Sequence, residues 1–278
     1  MLNEFFVSGF VALHLDCGDY DKFRCMCLLL FAYKTHPDYR LILAANRDEF
    51  HRRPTDAAQW WNDAPNIFAG RDLEKSGTWM GATRDGKFAA LTNFRDPAQR
   101  KSNAPSRGLL VSDYLRGKLA PADYLAQLSS NAEQYEAFNL FLGDKNSLWF
   151  FSSRDKQPHE LKPGVYGLSN ATLDEPWPKV THGKQALNKI LVENVNENEL
   201  FSLLADRTIY HDDHLPQTGV PLEWERRLSA TFIVSPEYGT RCSTLLLIGK
   251  DGRMEMIERS FDAGGEITDT KRAAFNST

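Results

Sequence analysis

The sequence predicts a layered α+β protein built from mostly antiparallel sheets. Three observations carry that prediction. Apolar runs of strand length recur in pairs around short turn signals, two pairs of helical segments interrupt them, and a final set of strands closes the chain. The first pair is residues 27–33 and 40–45, flanking His36-Pro37-Asp38. β-forming residues on both sides of a proline-containing break read as a hairpin. Its second strand runs into Asn46-Arg47-Asp48-Glu49-Phe50. Charged groups at the end of an apolar strand are costly to bury unless they serve one another or a ligand.

Residues 51–66, rich in Pro, Asp and Trp, read as a loop that lays Trp60 and Trp61 over something, and 67–72 as a short segment. Residues 78–83 and 87–93 flank Arg84-Asp85-Gly86, a hairpin turn in which Gly supplies positive φ. Ser106 is placed to cap a helix over Leu109, Leu110, Tyr114 and Leu115 that stops near Gly117. Pro121 and Asp123 open a second helix carrying Tyr124, Leu125 and Leu128. Strands follow at 138–142, 147–152 and 165–170, then helices at 176–193 and 197–205, with Gly183 a weak point in the first. Residues 208–223 read as a loop. Residues 230–235, 242–248 and 253–261 read as a closing meander, and the polar tail 262–278 is expected to fray.

At 278 residues and 42% apolar content, the chain is long enough for a large core in one domain or two. Its net charge of −4 is made of interspersed signs, with no basic block to track a phosphate backbone, so nucleic acid is not an expected partner. No apolar run approaches bilayer length, so no stable membrane insertion is expected. The four cysteines, Cys17, Cys25, Cys27 and Cys242, show neither zinc-ligand spacing nor a disulfide framework; reduced thiols in a cytoplasm are the simplest reading. His211-Asp212-Asp213-His214 lies in a loop without a third ligand at regular spacing and reads as solvated, so no metal site is expected. Oligomeric state is not legible.

Residues 5–15 are apolar enough for a signal segment, but Glu4 replaces the positive flank and Asp16 stands where small residues belong. The favoured reading of 1–25 is an extension absent from the mature protein, which then begins at Cys27 once Met26 is removed. The alternative is a genuine extension that blocks the amine. An N-terminal Cys27 carries a thiol and an amine on one α-carbon. The amine, with an unperturbed pKa of about 7.7–8.0, takes the thiol proton near neutral pH. The thiolate then attacks an acyl carbon. Against this, a lone cysteine at a strand start is usually a small core hydrophobe.

Asn46-Arg47-Asp48-Glu49-Phe50 is followed in order by Gly77-Thr78-Trp79-Met80-Gly81, Ala90-Leu91-Thr92-Asn93-Phe94, Ser106-Arg107-Gly108, Gly167-Leu168-Ser169-Asn170 and Tyr238-Gly239-Thr240-Arg241-Cys242-Ser243-Thr244. Together these resemble the landmarks of the NRDE family, whose eukaryotic members are called transport and Golgi organization protein 2, and they cover nearly all of 26–260. That family is similar to the N-terminal-nucleophile (Ntn) hydrolases, particularly the choloylglycine and penicillin V acylases. The resemblance implies an Ntn-hydrolase-like, four-layer α-β-β-α sandwich as a single domain over 27–261. It makes Cys27 the nucleophile, Asp48 the carboxylate that holds its amine and thiol, and Asn93 and Asn170 amide donors to an oxyanion. The plainer readings are a cap or ion-pair role for Asp48 and ordinary strand ends for the asparagines.

Two departures weaken the expectation of amide hydrolysis. The acylase strand end reads Arg-Asn-x-Asp, whereas here Ala45 stands where that arginine belongs. A second acylase arginine corresponds to Thr231, before Phe232. Asn46, Arg47, Trp79, Arg107, Arg241 and Ser243 are candidate ligand-binding residues. Arg241 suits a carboxylate bidentately, Arg107-Gly108 at a helix start suits an anion, and Trp79 suits a flat or greasy group. The functional expectation is a protein that binds or traffics a small acyl or haem-like ligand with weak or no hydrolysis. The alternative is a cysteine amidase or thioesterase. No cofactor is required, and haem enters only as a possible ligand, through axial sulfur and propionate pairing.

Overall fold

The computed structural model describes residues 26–96, 101 and 103–276, so the expected extension 1–25 lies outside the described residues. One sheet has six strands in the order β10 (Gly164–Leu168), β1 (Met26–Tyr33), β2 (Tyr39–Phe50), β11 (Tyr238–Gly249), β12 (Arg253–Phe261), β13 (Ile267–Asn276). The other takes seven strands in chain order. They are β3 (Thr55–Trp61), β4 (Ala64–Asp72), β5 (Met80–Thr83), β6 (Phe88–Asn93), β7 (Phe138–Gly143), β8 (Leu148–Ser152) and β9 (Pro158–Glu160). Every ladder is antiparallel.

The layers follow from side-chain alternation. On β1, Leu29 and Phe31 enter the core between the sheets, with Leu43 and Met256 from the same sheet and Phe68, Met80, Phe88 and Phe141 from the other. Leu28 and Leu30 face the opposite way, under α3 (Pro178–Glu193) and α4 (Glu197–Leu204), against Val180, Leu187 and Phe201. The seven-stranded sheet is covered likewise by α1 (Gly108–Arg116) and α2 (Pro121–Ser129), whose Val111, Leu115 and Leu125 pack on Leu91, Leu140 and Phe151. A strand buried on both faces has no polar alternation to display, which is why β1 reads as a continuous apolar run. The order of layers is α-β-β-α, as the resemblance implies. None of the described helices is long and apolar enough to cross a membrane.

β2 ends in Asn46 to Phe50 as expected: Asn46, Arg47 and Asp48 pair with Leu28, Cys27 and Met26, and the whole end pairs with β11. Several other expectations need correction. The expected loop 51–66 contains β3 and the start of β4; Trp60 packs edge-on against Phe68 and Phe275, while Trp61 donates from Nε1 to the Ala69 carbonyl. Residues 230–235 form a turn instead of a strand, and the short helix α5 (Leu222–Ser229) precedes them. The tail does not fray as expected: β13 pairs with β12 along its length and sends Ala273 and Phe275 into the core. Its exposed Lys271 and Arg272 give the sheet a charged edge that resists strand addition. Ser106 contributes its carbonyl to Leu109 N–H at the start of α1, and its side chain forms no cap there. At that point Gly77 meets Gly108 so closely that a Cβ on Gly77 would lie 2.4 Å from the Gly108 carbonyl carbon.

Candidate functional site

Register places the site. Cys27 stands opposite Arg47 on β2, and Arg47 stands opposite Cys242 on β11. With period two, Ala45, Arg47 and Glu49 turn toward the space between the sheets while Asn46 and Asp48 turn toward the helices. The Arg47 guanidinium lies over the Trp79 ring at 4.3 Å, with Nη2 at 3.7 Å from Glu49 Oε2. Arg47 lies two residues beyond Ala45, and a shift of two keeps the face.

Above this pair lies an open cleft of about 320 Å³. Arg47, Trp79, Asn93 and Arg107 all line it, and its cations (Arg47, Arg53, Lys75, Lys101, Arg107) outnumber its carboxylates (Glu49, Asp72, Glu136). Below lies a void of only about 10 Å³ that touches Cys27, Met80 and Thr244. Arg47, Trp79 and Leu91 line both spaces, so the stacked Arg47–Trp79 pair forms the partition between cleft and thiol. Cys27 is 3% exposed.

Asn93 and Asn170 are brought together beside Cys27. Asn170 Nδ2 donates to the Asn93 carbonyl at 2.8 Å, and Ser169 Oγ donates to the Cys27 carbonyl at 3.2 Å. One proton of the candidate oxyanion donor is thus already used on backbone. Asp48 sits behind β1, opposite Met26, and is fully buried. Its Oδ1 accepts from Thr240 Oγ1 at 2.7 Å; its Oδ2 has no hydrogen-bond partner among the described residues. Burial pushes this carboxyl above its ordinary range, opposed chiefly by the charge of Lys179. Burial pushes the Lys179 ammonium down in turn, opposed by Asp48.

Nothing in the sequence marked Lys179, since a lysine after Pro178 at a helix start looks solvated. Arg95 and Glu225 were likewise missed. They form a buried ion pair at 2.5 Å, with Arg95 over the Trp177 ring and Glu225 also accepting from Thr218.

Three predicted ligand residues lie elsewhere. Asn46 donates to the Leu204 and Thr231 carbonyls and accepts from Ser243 Oγ at 2.6 Å, so both side chains pin β2 and β11 to the helix layer. Arg241 is the extra residue of a β-bulge between Thr240 and Cys242, and its Nη1 donates to the carbonyls of Phe50, His51 and Arg53. Arg107 does reach the cleft but also donates to the Ala137 carbonyl and pairs with Glu136.

Cys27 and Cys242 sit two strands apart, about 9–10 Å, beyond reach of a disulfide with each other. The described residues hold no cluster of His, Cys, Asp or Glu suited to a metal ion. The described lining of the cleft contains no His, Cys, Met or Tyr, so it offers haem iron no axial ligand.

A family model described as Transport and Golgi organisation 2 matches residues 26–263. A Transport and Golgi organization protein 2 homolog from Bos taurus is 35% identical over 258 residues, covering 84% of this chain and 93% of that protein. The Homo sapiens homolog is 34% identical over 257 residues with the same coverage. Transport and Golgi organization protein 2 of Drosophila melanogaster is 30% identical over 278 residues, covering 88% and 96%. Among solved structures, a Caenorhabditis elegans N-acylethanolamine-hydrolyzing acid amidase ortholog aligns with a TM-score of 0.46 and 11% identity, over 80% of this chain and 92% of that one.

Proposed function

The chain belongs to the Transport and Golgi organisation 2 family, and from that premise we propose that its cleft binds a small acyl compound by an anionic end, with Cys27 as the acyl acceptor at its base and with slow or no turnover. The observation that carries this reading is the pairing of Cys27 with Arg47 beneath a cleft whose cations outnumber its carboxylates. A guanidinium at that position recognises a carboxylate or phosphate through charge-assisted hydrogen bonds. Two features argue for slow turnover. The thiol is closed off by Arg47 and Trp79, and the Asn170 amide is partly used on the Asn93 carbonyl.

In the mature form we place the N-terminus at Cys27. Two observations support it: the family match begins at Met26, and the buried Asp48 Oδ2, opposite Met26, has no hydrogen-bond partner among the described residues, a place that a free ammonium at residue 27 would fill. The thiol proton passes to the amine, the thiolate adds to the acyl carbonyl, and the leaving group departs with the proton, forming S-acyl Cys27. We place the protein in the cytoplasm, where the thiols of Cys27 and Cys242 stay reduced. Haem is the less favoured ligand, because the described lining of the cleft carries no His, Cys, Met or Tyr. A cysteine amidase or thioesterase is the second reading, favoured by the return of Arg47 to the face of Cys27.

The test titrates protein purified from its own source with acyl thioesters and acyl carboxylates and assays hydrolysis in parallel, with intact mass locating the N-terminus. Saturable binding with little turnover is the expected result. Robust turnover abolished by Cys27→Ala makes the second reading correct, and no binding removes the first.

A further inference from the structure

Lys179 has a burial that packing alone does not explain. It is 2% exposed in the first turn of α3, and lysine is rarely buried so deeply without a paired charge. The helix rides directly on β1: one turn further on, a Cβ at Gly183 would lie 2.5 Å from the Leu30 side chain. Lys179 Nζ donates to the Leu228 carbonyl at the end of α5, at 3.0 Å, which leaves two of its three donors without a hydrogen bond among the described residues.

The charged and titratable groups around it are Asp48 on β2, Arg95 after β6 and Glu225 on α5 on its own side, and Cys27 across β1; in the mature form proposed above the Cys27 α-amine joins them. Arg95 and Glu225 neutralise one another in direct contact. What remains is one cation, Lys179, opposed to the Asp48 carboxylate, whose Oδ2 has no hydrogen-bond partner among the described residues. Both lie on the helix side of β1, while the Cys27 side chain lies on the other. A cation there cannot bond the thiol, yet its field crosses a single strand in a dry interior, where charges are weakly screened.

We propose that Lys179 is a positioning residue that, from behind β1, holds Asp48 ionised and favours the thiolate of Cys27. The proposal rests on Cys27 being the reactive group. Removing the ammonium raises the Asp48 pKa further, and at every pH where Asp48 is still ionised the thiol then faces an uncompensated negative charge from that side. It also removes the positive charge on that side of the thiol, leaving Arg47 on the other.

The experiment follows thiolate ultraviolet absorbance against pH in the full chain, as the difference from Cys27→Ala. Lys179→Met is expected to move the Cys27 midpoint up by about one pH unit, a roughly tenfold loss of thiolate below it. Lys179→Arg restores the midpoint. Lys184→Met, on the same helix but paired with Asp174 at 2.7 Å, leaves it unchanged. Should Lys179→Met fail to fold, Asp48→Asn reads the same coupling with opposite sign and lowers the midpoint. A Cys27 midpoint indifferent to both variants overturns the proposal while leaving Cys27 as the reactive group. A wild-type titration identical to that of Cys27→Ala overturns both.

Discussion

Cys27 and Arg47 stand directly opposite each other on β1 and β2 and line the same small void beneath the cleft. A thiol and a fixed cation share one face of one sheet at the base of a space large enough for a small ligand. The same register sends Asp48 to the other face, so the nucleophile and the candidate carboxylate meet around the backbone of β1 instead of side by side.

Arg47→Ala is expected to weaken binding of an anionic acyl compound by about 10–100-fold, since a hydrogen bond to a charged group contributes about 1.5–3 kcal/mol. It also removes one wall of the partition over the thiol, so Cys27 alkylation by a small reagent should quicken. Isothermal titration and a timed iodoacetamide reaction read the two effects. Unchanged affinity would place the anion elsewhere in the cleft.

Stability should report the buried Asp48. Its folded pKa is raised above 3.8, so its contribution favours the fold at acid pH and is lost as the pH rises through the weakly acid range. Lys179 has the opposite sign: lowered from 10.5, its contribution is present above that value and lost as the pH falls. Thermal unfolding from pH 4 upward should therefore show wild type losing stability relative to Asp48→Asn. A parallel pair of curves would mean that Asp48 keeps an ordinary carboxylate pKa.

The Arg95–Glu225 pair locks the segment after β6 to α5 with both side chains buried. Breaking one partner of a buried pair typically costs about 3–5 kcal/mol, because the other charge is stranded. Glu225→Ala should reach that range in denaturant unfolding, and it also strands the N–H and hydroxyl of Thr218. A loss below about 1 kcal/mol would show that water relieves Arg95.

Most strands and helices α1 to α4 were legible because their apolar period is regular. β3 hid behind Pro54 and Asp56, and β13 behind a solvent face that leaves only Ala273 and Phe275 pointing inward. Cys27, Arg47, Trp79, Asn93 and Asn170 were legible as motif residues, and the structure gathers them. Arg241 was not, because its bulged position turns its guanidinium onto the carbonyls of Phe50, His51 and Arg53. Nor was Lys179, whose burial depends on α5 and β2 folding over it from distant parts of the chain.

The most direct test of an acyl acceptor at the base of a cationic cleft is the mass of the protein after exposure to an acyl thioester. Peptide mapping is predicted to find a single acyl group on Cys27, lost in Cys27→Ala and reduced in Arg47→Ala, with Cys242 unmodified. An unmodified Cys27 at saturating thioester with no product released, or an acyl group carried by Cys242 instead, would contradict the account.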